Sequence, residues 1–202
     1  MVFLQITSKE ISIPSVGSCK ECRVLTEATA VDEQTTVEAA IAGDPAAFAE
    51  LFRKFHPMIY AFAYRLSLDS ADAQDIAQET FVKAARAIAG YTPEGPFQNW
   101  LYRICANTAR DWHRQAARRG LTMNHVQSRA ELTEAERTPD FDEARSALAL
   151  LSPNLRAAVV LVYFDEMSHA EAASVLGCAE TTVSWRIFQA KRKLKKVLSR
   201  NE

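Results

Sequence analysis

One amphipathic stretch, residues 97–119, constrains the fold of this chain more than any other. Its sequence, FQNWLYRICANTARDWHRQAARR, separates into two faces when it is plotted at about 100° per residue. The apolar face is formed by Leu101, Ile104, Cys105, Thr108, Trp112 and Ala116. The opposite face is formed by Arg103, Asn107, Arg110, Arg114 and Arg118. One acidic residue, Asp111, lies near it. The stretch therefore predicts a helix with one side in a core and the other toward a polyanion.

Trp100 adds an aromatic ring at the edge of this basic face. An aromatic plane beside cations suits phosphate contact combined with base stacking. The alternative is a surface helix whose arginines are merely solvated, and the stretch alone favours neither interpretation. The rest of the chain has to decide between them.

The composition indicates an all-α globular protein. With 202 residues the chain can form one large domain or two small ones. The chain is 48% hydrophobic and 24% charged, which is ordinary for a globular protein, and it has 6 glycines and 7 prolines. The net charge of −1 is an average over segregated regions, because acids gather at 69–79 and 131–143 and bases at 103–119 and 186–200.

The sequence gives no sign of membrane insertion or of a metal centre. No apolar run approaches the roughly 20 residues of a membrane span, and the N-terminus does not resemble a signal peptide. Cys105 and Cys178 lie within helical apolar patterns and are predicted to be small core residues. Cys19 and Cys22 form a CxxC motif, but no second CxxC or paired histidine supplies further ligands. We expect a cytoplasmic protein with no cofactor and no bound metal.

Two stretches without helical periodicity divide the chain. Residues 1–34 are predicted to be a disordered extension. Residues 120–140 are predicted to be a linker, because a structureless stretch of roughly 20 residues is unusual inside one compact domain. The chain is therefore expected to form two small helical domains, 35–119 and 141–202, joined by a flexible linker.

The first domain is predicted to contain three helices before the basic one. A short helix spans 37–42, and Asp44-Pro45 begins a long helix that Pro57 is expected to kink. Its buried face comprises Phe48, Leu51, Phe52, Phe55, Ile59, Phe62 and Leu66. Asp69-Ser70 caps the next helix, 71–89, which carries an acidic stripe of Asp72, Asp75 and Glu79 with Gln78 beside it. The stripe is either solvated or docks a basic partner.

The second domain has the pattern of a helix-turn-helix. Ser168 and Glu171 form a capping box that opens a short helix ending at Gly177. A longer helix follows, with Val183, Ile187, Ala190, Leu194 and Val197 on its buried face. It is predicted to present to a major groove the side chains of Glu180, Thr181, Ser184, Trp185 and Arg186. The alternative is a generic C-terminal helical hairpin.

Two long segments resemble a known family in its domain order. DAQDIAQETFVKAARAI followed by FQNWLYRICANTARDW resembles the promoter-melting domain of bacterial extracytoplasmic-function (ECF) sigma factors. LSPNLRAAVVLVYFDEMSHAEAASVLGCAETTVSWRIFQAKRKL resembles their C-terminal helix-turn-helix domain. The resemblance covers roughly residues 35–198.

The resemblance implies three sets of site residues and no catalytic residue. The residues matching the segment that docks on the polymerase clamp are Asp72, Asp75, Gln78, Glu79 and Phe81. Those matching the face that binds the −10 element are Asn99, Trp100, Arg103, Asn107, Arg110 and Arg114. Those matching the −35 reader are Thr181, Thr182, Ser184, Trp185, Arg186 and Gln189. Apart from the resemblance, the basic run 191–196 late in the same helix is expected to lie on phosphates, and Lys193 and Lys196 are assigned to the −35 element for that reason. Ser184-Trp185-Arg186 departs from the Lys-Ser-Arg run usual in the family, and Gln189 stands where an arginine is common.

The function implied is binding rather than catalysis. A chain of this kind joins core RNA polymerase at its clamp and flap, recognises promoter DNA at −35 and −10, and promotes melting. The resemblance also implies an anti-sigma factor as partner. Two alternatives remain at this point. A stand-alone helix-turn-helix regulator leaves the acidic stripe and the Trp100 helix unexplained. A zinc or redox sensor built on the CxxC motif explains residues 19–22 alone.

Overall fold

The computed structural model describes residues 28–93, 95–118 and 139–198, and every regular element in these ranges is helical. The first group of helices is α1 (Ala28–Ile41), α2 (Pro45–Ser67), α3 (Ser70–Ala87) and α4 (Phe97–Arg118). The second is α5 (Pro139–Ala149), α6 (Pro153–Val159), α7 (His169–Leu176) and α8 (Glu180–Leu198). A 3₁₀ turn, Ile88–Gly90, follows α3, and a π-helical segment, Val160–Phe164, follows α6. The predicted all-α class is confirmed.

Side-chain caps begin α2, α3 and α7 where the sequence predicts them, whereas Ser152, which was also expected to cap a helix, makes no side-chain cap at the start of α6. The Asp44 carboxylate accepts a hydrogen bond from the Ala46 amide at 2.8 Å, with Pro45 in the first turn. The Asp69 carboxylate accepts one from the Asp72 amide at 3.0 Å. Ser168 and Glu171 form a capping box at the start of α7: the Ser168 hydroxyl accepts a hydrogen bond from the Glu171 amide, and the Glu171 carboxylate accepts one from the Ser168 amide. Each cap supplies an acceptor to an amide that has no partner within the helix, which defines the starting residue.

Two predicted boundaries are wrong. The structure begins α1 at Ala28, so residues 28–34 are helical rather than part of a disordered extension, and the helix is much longer than 37–42. Contacts with α2, including an ion pair between Glu33 and Lys54 at 2.8 Å, stabilise a segment whose own helical signal is weak. Likewise α5 begins at Pro139 inside the predicted linker, with proline at the helix start, where its missing amide hydrogen costs nothing.

Several predictions fall outside the described residues. These are the disorder of residues 1–27, the CxxC motif and the linker over 120–138. Pro57 does lie in the described part, where α2 runs through it as a single helix from Pro45 to Ser67. No helix in the described ranges has both the length and the apolar character to cross a bilayer.

The core of the first domain is formed by α1–α4. Its largest fully buried side chains are Leu51, Ile59, Phe62, Ile76 and Leu101. The predicted apolar face of α2 is buried except at its flank, where Phe48 is half-buried and Phe52 is exposed. Phe52 instead packs against the edge of Phe81, with ring centroids 4.8 Å apart.

The second domain packs directly against the first. Its own core contains Val160, Leu161, Val175 and Val183, all at most 1% exposed. The α7 helix lies against α4, and α6 contacts α2. Tyr102, Ala106 and Ala109 are therefore buried on a flank of α4 that the sequence predicts to be outside its apolar stripe.

Candidate nucleic-acid and protein interfaces

The predicted −10 residues share the outer face of α4. Arg103, Asn107 and Arg114 are exposed, whereas Asn99 and Arg110 are half-buried. Arg110 Nη1 donates to Asn107 Oδ1 at 2.7 Å, and Arg114 pairs with Asp111 at 3.4 Å. The face is thus cationic and supplies donors suited to phosphates and base edges.

Trp100 is held in an aromatic cluster at the start of α4. Its ring centroid lies 4.9 Å from that of Tyr91 and 5.3 Å from that of Phe97. The Tyr91 hydroxyl donates to the Gly95 carbonyl at 3.1 Å, which ties together the loop before α4. A half-buried ring fixed in this way can stack on a base with little further loss of side-chain freedom.

One residue of the −10 face also contacts the second domain. Arg103 Nη2 donates to Ser174 Oγ on α7 at 2.9 Å. The open cleft between α4 and α7 is lined by Arg103, Ala173, Ser174, Gly177, Cys178 and Ala179. In this arrangement the Arg103 guanidinium is shared between the predicted DNA face and the domain contact.

The predicted polymerase-binding residues are divided between surface and core. Asp75, Gln78 and Glu79 are exposed on one side of α3, with Glu79 3.6 Å from Lys83. Asp72 is half-buried, and burial raises the pKa of its carboxyl although a hydrogen bond with Trp112 opposes the shift. Phe81 is buried beneath the rings of Phe52 and His56, whose centroids lie 4.8 and 6.0 Å from its own.

The predicted −35 residues lie on the outward side of α8 or at its edges. The exposed ones are Thr181, Ser184, Trp185, Lys193 and Lys196, and the half-buried ones are Thr182, Arg186 and Gln189. Ser184 Oγ lies 2.9 Å from His169 Nδ1, and Arg186 Nη1 lies 3.7 Å from Cys178 Sγ. These contacts fix α8 against α7 and the turn before it, as in a helix-turn-helix.

One exposed residue on this face, Phe188, was not among the predicted −35 residues. The periodicity of α8 carries the signal for it, because Phe188 projects opposite Val183 and Ala190, which are fully buried.

The junction between the domains contains a buried charged cluster that no local sequence pattern indicates. Tyr102 donates its hydroxyl hydrogen to Asp165 Oδ1 at 3.0 Å, and Arg65 lies 4.0 Å from the same oxygen. Asp165 Oδ2 is buried and has no hydrogen-bond partner within the described ranges. Burial raises the pKa of Asp165 to about 6, and burial together with the neighbouring carboxyl raises the pKa of Tyr102.

The carbonyl of Leu66, near the end of α2, is a second site of hydrogen bonding between the two domains. It accepts a hydrogen bond from Arg156 Nη1 at 2.6 Å, and His113 Nε2 lies 3.2 Å away. Burial lowers the pKa of His113, with the nearby guanidinium adding to the effect. The last carbonyls of a helix have no partner within the helix, so donors from two other helices satisfy this one.

Comparison with known proteins identifies both domains. Residues 51–119 match the model of sigma-70 region 2, and residues 141–194 match that of sigma-70 region 4. The chain is 33% identical over 184 residues to the RNA polymerase sigma-H factor of Pseudomonas aeruginosa, covering 84% of this chain and 95% of that one. It is 32% identical over 187 residues to the ECF RNA polymerase sigma factor SigE of Mycolicibacterium smegmatis, covering 86% and 68%.

A solved structure shows the same arrangement of helices. The sigma factor RpoE of Bartonella quintana, crystallised with the anti-sigma factor NepR, superposes with a TM-score of 0.64 and 27% sequence identity. The match covers 75% of this chain and 96% of that one.

Proposed function

The chain belongs to the ECF family of RNA polymerase sigma factors, and from this premise we propose how its surfaces divide the work of promoter recognition. Members of the family are non-enzymatic transcription initiation factors that bring core RNA polymerase to promoter DNA. We assign the −10 element to the outer face of α4 and the −35 element to the outer face of α8. The acidic side of α3 docks on the polymerase clamp, and the groups α1–α4 and α5–α8 act as separate functional domains.

The observation that carries this assignment is the segregation of charge among exposed faces. The outer sides of α4 and α8 present arginines and lysines, whereas the outer side of α3 presents Asp75 and Glu79. Cationic faces attract the phosphates of DNA, and an acidic face attracts a basic protein surface. A chain that only bound duplex DNA would need α8 but neither of the other two faces.

The −10 face is suited to holding unpaired bases. Capturing a base out of the stack costs a few kcal/mol. Trp100 offers an aromatic platform worth roughly 1–3 kcal/mol per stacked base, and Arg110 and Arg114 offer phosphate contacts. Together these interactions offset the cost of melting.

We also propose an anti-sigma factor as the regulatory partner and the cytoplasm as the place of action. The proposal of an anti-sigma factor rests on the solved relative, whose structure was determined with an anti-sigma factor. The proposal of the cytoplasm rests on the location of bacterial RNA polymerase and chromosomal DNA.

Promoter-directed transcription tests the proposed function. We expect the full chain, added to core RNA polymerase, to start transcription at a defined position on templates selected for binding the complex. Core polymerase without the chain is the control and should give no defined start. A chain that binds duplex DNA but never changes where core polymerase initiates would instead be a stand-alone regulator.

A further inference from the structure

In the closed form of the chain, in which α6 contacts α2 and α7 contacts α4, the two proposed DNA faces lie close together. The α7 helix contacts both α4 and α8. Packed helices have axes about 8–10 Å apart, so at α7 the axes of α4 and α8 are separated by roughly 20 Å or less. The −10 and −35 elements are separated by about one and a half turns of duplex, or roughly 50 Å. The closed form therefore cannot span one promoter.

The turn before α7 places an acidic side chain against the first domain. Asp165 follows the π-helical segment, and the next residue, Glu166, is exposed and has a φ of 52°, in the left-handed region that side chains rarely adopt. The Asp165 side chain is 9% exposed. Arg65 on α2 lies 4.0 Å from its Oδ1, and the Tyr102 hydroxyl on α4 donates to the same oxygen at 3.0 Å. The carboxyl is therefore held by the other domain.

The surroundings of this carboxyl favour its neutral form. Oδ2 is buried and has no hydrogen-bond partner in the part of the chain that the structure describes. A buried charged oxygen without a partner is costly, and one guanidinium at 4.0 Å offsets only part of that cost. The Arg65 guanidinium also lies over the Phe164 ring, 5.0 Å from its centroid. Burial accordingly raises the pKa of Asp165 to about 6.

The other ionisable groups at the junction do not act in the same way. Burial raises the pKa of the Cys105 thiol on α4 to about 12 and raises that of Tyr102, so both groups are neutral near pH 7. His113 responds in the opposite sense, because burial and the Arg156 guanidinium lower its pKa in the closed form. Acid therefore favours opening through His113 and closure through Asp165. A variant that cannot ionise at position 165 separates the two effects.

Resting on the proposed function, we propose that the domain contact is an autoinhibitory latch, in which protonated Asp165 holds the second domain on α2 and α4. Opening moves Asp165 away from Tyr102 and Arg65 into water, where its carboxyl ionises normally. Loss of the proton therefore favours the open form, which can span a promoter, and uptake of the proton favours the closed form. A pKa of about 6 when closed and 3.8 when open changes the ratio of closed to open chains roughly tenfold between pH 5 and pH 7.

Resonance energy transfer within the full, free chain measures closure. Fluorophores at positions 50 and 154 report the distance between α2 and α6, because both positions are exposed and lie in different domains. In wild type we expect the ratio of closed to open chains to fall up to roughly tenfold from pH 5 to pH 7, with His113 reducing the change. Asp165→Asn keeps the hydrogen-bond acceptor and does not ionise, so its ratio should not fall. Asp75→Asn, at an exposed position on α3, is the matched control and should titrate as wild type.

Transcription at pH 7.5 tests whether closure inhibits. Asp165→Asn resembles the protonated latch, so it should need at least about fivefold more chain than wild type for half-maximal transcription from a promoter with both elements. Tyr102→Phe keeps the ring, which packs on Phe62 with centroids 4.8 Å apart, but loses the hydroxyl that holds Asp165. Its ratio of closed to open chains should be roughly fivefold lower, and it should need no more chain than wild type. Circular dichroism checks that both variants are folded.

The outcomes separate the latch from the proposed function. Energy transfer in wild type that is the same at pH 5 and pH 7, or that falls equally in Asp165→Asn, overturns the latch. Half-maximal transcription at the wild-type concentration by an Asp165→Asn chain that is more closed overturns it as well. If Asp165→Asn does not fold, a closed fraction of Tyr102→Phe equal to that of wild type at pH 5 has the same consequence. A wild-type chain that never directs transcription overturns the proposed function and the inhibitory role, whereas energy transfer still decides whether Asp165 controls closure.

Discussion

At the scale of single residues, Arg156 connects the two domains. It is fully buried, at 0% exposed, and its guanidinium donates to the carbonyls of Leu148 at 3.0 Å, Leu151 at 3.3 Å and Leu66 at 2.6 Å. Leu66 belongs to the first domain, and the other two belong to the second. Burial lowers the pKa of Arg156 to about 10, so the side chain remains charged at neutral pH.

Arg156→Met should destabilise the protein strongly. Methionine keeps much of the side-chain volume but removes three hydrogen bonds from a charged donor to buried carbonyls, and each such bond is worth about 1.5–3 kcal/mol. We expect the free energy of unfolding in urea to fall by roughly 3 kcal/mol or more. Arg145→Met is the control, because Arg145 is half-buried and donates one hydrogen bond within the described ranges, to the Leu68 carbonyl at 3.3 Å. Equal losses in the two variants would contradict the bridging role of Arg156.

Asp165 makes the stability of the protein depend on pH. Burial raises its pKa from 3.8 to about 6, so between these values the folded chain binds more protons than the unfolded chain. The free energy of unfolding contributed by this group is therefore highest below pH 4 and is lost as pH rises to 6. A shift of about two pKa units corresponds to roughly 3 kcal/mol.

Asp165→Asn should remove this pH dependence. Asparagine can still accept the hydrogen bond from Tyr102 but does not ionise. We expect wild type to lose on the order of 2 kcal/mol more than the variant between pH 4.5 and pH 7, measured by urea unfolding. Asp75→Asn, at an exposed position on α3, should behave as wild type. If the free energy of unfolding changes equally with pH in wild type and in Asp165→Asn, a group other than Asp165 causes the pH dependence.

At the scale of elements, α3 has one side in the core and one side free for a partner. Ala73, Thr80 and Ala84 are fully buried, whereas Asp75 and Glu79 project from the other side. Charge reversal of the exposed pair should therefore alter binding without altering the fold.

We expect Asp75→Arg combined with Glu79→Arg to weaken binding to core polymerase at least about tenfold, or roughly 1.4 kcal/mol. Affinity can be measured by fluorescence anisotropy with a labelled chain. Glu50→Arg, an exposed reversal on α2, is the control for a general effect of charge. If the double variant binds core polymerase as tightly as wild type, the acidic stripe is only a solvated face.

At the scale of the whole molecule, the two domains are in contact and share Arg103. Its bond to Ser174 places α7 beside the proposed −10 face of α4. The −35 and −10 elements lie about one and a half turns of duplex apart, or roughly 50 Å. About 20 residues join α4 to α5 and can extend to roughly 70 Å, so the chain allows the domains to separate on DNA. We expect this contact to open when both domains bind the promoter.

The division of labour between the domains predicts different responses to a pre-melted template. Arg114→Ala should impair opening at −10, so a promoter already unpaired there should partly restore its transcription. Arg186→Ala should weaken −35 recognition by roughly 1–3 kcal/mol, and pre-melting should not rescue it. Transcription by each variant from the duplex and the pre-melted form of one promoter measures the two effects. Rescue of both variants, or of neither, would contradict the assignment.

Local sequence determined the elements and much of the candidate site. Asp44, Asp69 and Ser168 supply caps to amides within their own first turns, so the starts of α2, α3 and α7 follow from short-range chemistry. The faces of α4 and α8 follow from helical periodicity, which shows which side chains share a side. The helix-turn-helix and the acidic stripe were recognisable for the same reason.

Only the tertiary structure decided how the flanks of these elements are used. The early start of α1, the burial of Tyr102 and the exposure of Phe52 each depend on what packs alongside. The Arg156 bond to Leu66 joins residues 90 positions apart in the sequence. No periodicity within a single helix carries information about such a partner, because burial of a flank is a property of two surfaces and not of one.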